Sequence, residues 1–245
     1  MPNLTRRQRA LAAAAPILVC VAALAGCGGD DATSGSADSN VTQDLQRQFV
    51  GVVDRVSPQV VQIQTDKGLG SGIVYDDRGD VVTNAHVTNN AQQFLVTLAD
   101  GDRRQGTLVG SDPSNDIAVI RVSGNPPPPA SFADSKSLQS GDIVFAIGNP
   151  LGLQSSVTQG VVSSINRTVN EGNGVTLSNV IQTSAEINPG NSGGALVDLS
   201  GRVTGIPTLA ALDPELGNSA APGIGFAITS DTVRRVADGL IAAAR

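Results

Sequence analysis

Tryptophan is absent from this 245-residue chain, tyrosine, methionine and histidine occur once each, and aromatic residues make up only 2%. So little aromatic surface excludes the stacking platforms that bind single-stranded nucleic acid. A core must therefore come from Val, Ile, Leu and Ala. One histidine and two cysteines cannot furnish the usual ligands of a zinc site, so neither a metal nor any other cofactor is expected. Positive charge is scarce too: 16 Lys and Arg face 22 Asp and Glu, for a net charge of -6. That sign repels phosphate backbones and anionic headgroups, and no nucleic-acid partner is expected. With 40% hydrophobic and 16% charged residues the chain can bury a sizeable core, which excludes disorder or a coiled coil for the whole.

The start of the chain is organised differently from the rest. Arg6, Arg7 and Arg9 precede an uncharged stretch of 17 residues from Ala10 to Gly26, the layout of a secretory signal. Seventeen residues fall short of the roughly 20 that span a bilayer, which favours a cleaved signal over a retained anchor. Leu24-Ala25-Gly26-Cys27 resembles the lipobox of bacterial lipoproteins, which implies that residues 1–26 are removed and that Cys27 carries lipid. Without the three arginines, 13 basic groups remain against 22 acidic ones, a balance of -9. Cys20 lies in the discarded stretch and Cys27 is the anchor, so no disulfide is expected. Residues 27–42, small, polar and acidic, read as a flexible tether. The expected location is extracytoplasmic, in the cell envelope.

Beyond the tether, Phe49, Val52, Val53 and Val56 recur at helical spacing, and Pro58 ends that helix. Short β-branched runs follow: VVQIQT at 60–65, FLVTLA at 94–99, DIAVIRV at 116–122, DIVFAIG at 142–148, VIQT at 180–183 and GIGFAIT at 223–229. Many short strands among 28 Gly and 13 Pro point to all-β barrels or a sandwich. Pro126 to Pro129 can enter neither a helix interior nor a central strand, and divide the strands into 43–125 and 130–245, with 126–129 as linker. The last segment, from Ser230, places Val233, Val236, Ala237, Leu240 and Ile241 on one helical face, with Ser230 as a candidate cap.

Three pieces of this sequence carry chemistry. His86, in VVTNAHV, follows a strand that ends at Thr83 and would stand at a barrel rim, where an imidazole can take a proton at neutral pH. Asp116, in SNDIAVI, stands at a strand entrance; a buried carboxylate there would hold one imidazole nitrogen and leave the other free as base. Ser192, in INPGNSGGAL, is surrounded by glycines that let backbone N–H groups point into a site. Each alone has a bland reading as a structural His, a solvated strand end or a turn. The order His, Asp, Ser on short strands is hard to reach by three separate turns.

These words, with GLGSGIV at 68–74, AIGNPLGL at 146–153 and VTQGVVS at 157–163, resemble the trypsin-fold serine proteases of the bacterial HtrA (Deg) family from about Val50 to Leu240. The resemblance implies two antiparallel six-stranded β-barrels, here with short N-terminal and C-terminal helices, and a cleft between them. It implies His86 as general base, Asp116 as its orienter and Ser192 as nucleophile. It further implies an oxyanion hole from the Gly190 and Ser192 N–H groups, with Asn191 shaping the turn. The expected activity is hydrolysis of peptide bonds in unfolded or damaged envelope proteins through an acyl-enzyme, a role in protein quality control, with polypeptides as partners. Such a base would lose activity on acidification through roughly pH 6 to 7. Two other readings share the scaffold: a chaperone or binding module with little activity, and an esterase.

The sequence departs from its relatives in several places. Asn191 replaces the aspartate that pairs with a new amino terminus in digestive trypsins, so no propeptide activation beyond leader removal is expected. Glu186 lies at the position of the trypsin pocket floor, where the HtrA family has a small residue. Either it selects Lys or Arg, or it faces solvent or an arginine, the commoner fate of an acid, and Ile187 and Ile206 then shape an apolar pocket. The family usually carries PDZ domains after the protease, and none is expected between the terminal helix and Arg245. The family's trimer uses an aromatic-rich N-terminal segment, for which Phe49 alone is available; a homotrimer is left open.

Overall fold

The computed structural model describes residues 34–149, 156–170, 175–188, 190–213 and 219–245. The leader, Cys27 and the opening of the expected tether lie outside the described residues. Among the described residues, β1 (Val60–Gln64), β2 (Leu69–Val74), β3 (Asp80–Thr83), β4 (Gln93–Thr97), β5 (Arg103–Asp112) and β6 (Ile117–Val122) close into one barrel in the order β1-β2-β3-β6-β5-β4. A second closed barrel follows, from β7 (Ile143–Gly148), β8 (Ser156–Asn170), β9 (Thr176–Thr183), β10 (Ala195–Asp198), β11 (Val203–Asp213) and β12 (Ser219–Thr229), in the order β7-β8-β9-β12-β11-β10. All pairings within the barrels are antiparallel, and closure leaves no free sheet edge. The expected fold class, two six-stranded barrels with terminal helices, is the one observed.

The apolar runs look continuous rather than alternating because both faces of these strands are buried. In the first barrel Val61, Ile63, Val74, Val81, Phe94, Val96 and Ile120 point into the barrel. Their neighbours Val60, Ile73, Val82, Ile117 and Val119 point the other way, into a larger cluster between the barrels. The second barrel repeats the pattern: Val144, Ala146, Ile181, Leu196 and Ala227 fill its interior, and Phe145, Ile147, Val180, Val197 and Ile228 join the shared cluster. Strand period two thus sorts each run between two cores. Each such aliphatic side chain contributes about 1.5 to 3 kcal/mol on burial.

Helices cover the shared cluster. α1 (Ser34–Val56) inserts Val52 and Val56 into it, and α3 (Ser230–Ala243) inserts Val233, Val236, Ala237 and Ile241. α1 begins within the stretch read as a tether. Extending a formed helix adds one hydrogen bond per residue fixed, and its amphipathic nucleus lies at Phe49 to Val56. The cap of α3 also differs from expectation: Thr229 is the N-cap residue, and the Ser230 hydroxyl instead donates to the Ala133 carbonyl at 2.9 Å. Four of the six aromatic residues pair edge to face at these joints, Phe49 on Phe145 at 5.0 Å and Tyr75 on Phe132 at 5.4 Å. After the four prolines the chain stitches the barrels together, Ala130 N–H donating to Val74 O at 2.9 Å and Ala133 N–H to Val203 O at 2.8 Å.

Candidate active site

β3 ends at Thr83, and α2 (Ala85–Thr88) follows as a single turn that holds His86 at the rim of the first barrel. The turn is fixed at both ends: the Thr88 hydroxyl donates to Ala85 O at 2.7 Å, and the Asn84 amide donates to Asp116 O at 3.1 Å. Asp116 stands immediately before β6 in the left-handed region, at φ 51°. An Asx turn puts it there. The Asp112 carboxylate accepts from the Ser114 and Asn115 N–H groups at 3.0 and 3.2 Å and from the Asn115 side chain at 2.7 Å. Partial burial pushes the Asp112 carboxyl up, but the hydrogen bonds from Asn115 and Ser114 outweigh it and hold the group below the ordinary carboxylate range.

The Asp116 side chain is buried and gathers three donors. Oδ1 accepts the backbone N–H of His86 at 3.0 Å, and the imidazole Nδ1 lies 3.1 and 3.0 Å from Oδ1 and Oδ2. A carboxylate only accepts, so this contact places the proton on Nδ1 and fixes the tautomer. The third donor is the Thr208 hydroxyl, 2.6 Å from Oδ2. Thr208 lies on β11 of the second barrel, and its own carbonyl accepts from the Ser192 hydroxyl at 3.2 Å. His86, Asp116 and Ser192 are thereby brought together around one threonine. This residue escapes a reading of the sequence, because a Thr inside an apolar strand looks like any other strand residue.

Ser192 sits in the loop between β9 and β10. Asn191, almost fully buried, organises that loop with every polar group it has. Its amide oxygen accepts from Asn188 N–H at 3.1 Å, its NH2 donates to Glu186 O at 3.0 Å, its backbone N–H donates to Asn188 O at 3.1 Å, and its carbonyl accepts from Gly194 N–H at 3.0 Å. Gly190 and Gly193 take φ values of 127° and 81°, open to glycine and strained for other residues. Among the described residues nothing accepts from the N–H groups of Gly190 or Ser192. Pro189 lies outside the described residues.

A family model described as a trypsin-like peptidase domain matches residues 70–206, more than half of the chain. The chain belongs to the trypsin-like peptidase family. It is similar to the serine protease Do-like HtrB of Bacillus subtilis, 40% identical over 225 residues that cover 85% of this chain and 48% of that protein. It is also similar to the periplasmic serine endoprotease DegP of Escherichia coli K12, 46% identical over 184 residues that cover 74% of this chain and 37% of the relative. Among solved structures the HtrA-type protease AlgW with tripeptide superposes with a TM-score of 0.72 at 38% identity, covering 80% of this chain and 64% of that one. The chain spans about half the length, or less, of the curated relatives it matches.

Within this trypsin-like peptidase the remaining residues singled out in the sequence fall in two places. Glu186 is exposed and, among the described residues, forms no ion pair. Its backbone carbonyl accepts from the Thr158 hydroxyl at 2.7 Å, and together with Ile187, Pro222 and Ile224 it lines a small pocket. Ile206 is fully buried and packs in the cluster between the barrels, away from that lining. It sits on the face of β11 that the two-core alternation assigns to the shared cluster. Among the described residues no group of three or more His, Cys, Asp or Glu side chains converges as metal ligands would.

Proposed function

We propose that this chain is a serine endopeptidase in which Ser192 attacks a peptide carbonyl, His86 takes its proton and Asp116 orients the imidazole. The observation that carries the reading is the Asp116 carboxylate, which holds His86 Nδ1 at 3.0 Å and shares Thr208 with the Ser192 hydroxyl. Nδ1 being the protonated nitrogen, Nε2 is the one with a lone pair for a proton. Attack by Ser192 gives a tetrahedral intermediate whose oxyanion the Gly190 and Ser192 N–H groups receive. Losing one such donor costs on the order of 3 kcal/mol of barrier. His86 then returns the proton to the leaving amine, and water, activated by the same imidazole, hydrolyses the acyl-enzyme.

The substrate class in this reading is polypeptide, unfolded envelope protein above all, held in the pocket beside Ile187 and Ile224. The names of the relatives support it: DegP is a periplasmic endoprotease, and AlgW was solved with a tripeptide. An exported chain tethered through lipid on Cys27 completes the proposal, resting on the leader's sequence pattern. The test is hydrolysis of a casein-like protein and of a small ester, side by side. Cleavage of the protein, reduced on the order of ten-thousandfold or more in Ser192→Ala, is expected. Turnover of the ester alone would turn the reading toward an esterase.

A further inference from the structure

Ser71, on β2 of the first barrel, is wholly buried, and its polar groups reach out of its own barrel to the backbone of the loop that carries Ser192. Its N–H donates to Ser192 O at 3.0 Å. Its hydroxyl accepts from Asn149 N–H at 2.8 Å and donates to Gly190 O, while its carbonyl accepts from the Thr83 hydroxyl at 2.6 Å. One first-barrel serine thus holds the loop of the second barrel at the two residues that flank Asn191, and ties both to the end of β7. The approach leaves no slack. A Cβ at Gly193 would overlap Ser71 O and the Thr83 hydroxyl, and one at Gly148, beside Asn149, would overlap the Asn191 backbone.

The geometry points to Ser71 as a positioning residue for the oxyanion loop, an inference that rests on the endopeptidase reading above. Gly190 has two peptide planes to set. Its φ of 127° sets one, and the hydroxyl of Ser71 pins the carbonyl of the other. With that carbonyl engaged across the barrel interface, the plane it shares with the Asn191 N–H cannot rotate, Gly190 is held from that side, and its own N–H, which among the described residues has no acceptor, is left for an oxyanion. Ser71 touches no reacting atom. Its hydroxyl acts through the loop, and removing it frees a rotation that misplaces the donors.

The experiment compares wild type with Ser71→Ala and Ser71→Cys, reading kcat and KM on a peptide amide, affinity for a peptide boronate that mimics the tetrahedral state, and amide hydrogen exchange. In Ser71→Ala, kcat falls about ten- to a hundredfold with KM within about twofold, and boronate affinity falls in step. Ser71→Cys, with a weaker donor, lies between, and serves alone if the alanine variant does not fold. Exchange at Asn149 and across residues 190–194 accelerates. Lowered thermal stability with kcat and boronate affinity unchanged overturns the inference. If wild type and Ser192→Ala are equally inactive, the endopeptidase reading fails instead, and unchanged exchange in Ser71→Ala then overturns the loop's dependence on Ser71 by itself.

Discussion

The first barrel presents His86 through a succession of carboxylates, whereas the second presents Ser192 through amides, hydroxyls and glycines. On one side Asp112 shapes the turn that places Asp116, and Asp116 holds His86. On the other side Asn191, Gly190 and Gly193 do the holding, with Ser71 reaching across from the first barrel, and none carries a charge. A charged support is strong where it is buried and hydrogen-bonded, but it is lost on protonation. A neutral support ignores pH and tolerates neither added volume nor added charge. The two halves of the site should therefore break under different insults, with Thr208 as the residue where both meet.

Among changes to the supporting residues, charging the second half has the largest expected effect. Asn191→Asp converts the donor that faces Glu186 O at 3.0 Å into a second acceptor, in a position only 3% exposed. A buried carboxylate against a carbonyl pushes the loop open, and kcat/KM at neutral pH should fall about a hundredfold or more. Protonation restores a donor, so the deficit relative to wild type should shrink near pH 5, in a pH profile of the two proteins. A constant ratio across that range would show that volume, not charge, is what the loop reads.

Next comes the residue the halves share. Thr208→Val keeps the shape and removes the 2.6 Å hydrogen bond to Asp116. Loss of one charge-assisted bond costs about 1.5 to 3 kcal/mol, which would slow turnover roughly ten- to a hundredfold with KM little changed. An undiminished kcat would mean that His86 alone holds Asp116 in place.

The smallest effect belongs to the first half's outer support. Because hydrogen bonds hold the Asp112 carboxyl below its unfolded value of about 3.9, its contribution to the fold is complete above roughly pH 5 and fades as pH falls through the folded value. Asp231 is lowered in the same direction, first by the Ser135 hydroxyl it accepts from at 2.7 Å. Thermal unfolding followed from pH 6 to pH 3 should show stability lost only at the acid end, and Asp112→Asn should lose less there than wild type does. In the same variant, activity at neutral pH should fall only a few-fold, since the amide still accepts from part of the turn.

The contrast also explains what the sequence could disclose. The strands read from the runs at 60–65, 94–99, 116–122, 142–148, 180–183 and 223–229 all formed, because their apolar residues serve two cores at once. Other strands lie outside those runs, β5 and β8 among them: Arg103–Asp112 is mostly half-buried and Ser156–Asn170 is exposed along much of its length, so neither carries a plain apolar run. His86, Asp116 and Ser192 are legible since each sits in a short word whose neighbours are themselves needed nearby. Thr208 and Ser71 are not, because their value arises only when residues far apart in the chain close on each other across the barrel interface. Ile206, which the sequence offers as a pocket wall, packs between the barrels, a placement hidden for a related reason. The face of a strand that meets the core is set by register, which composition does not reveal.

The most direct measurement is the site and rate of modification by a serine-directed phosphonate, mapped by mass spectrometry on the folded chain. The expected result is a single adduct on Ser192, forming slower by about a thousandfold or more once Asp116→Asn removes the group that fixes the imidazole tautomer. An adduct on Ser192 that forms equally fast in Asp116→Asn, or no adduct on Ser192 at all, would contradict it.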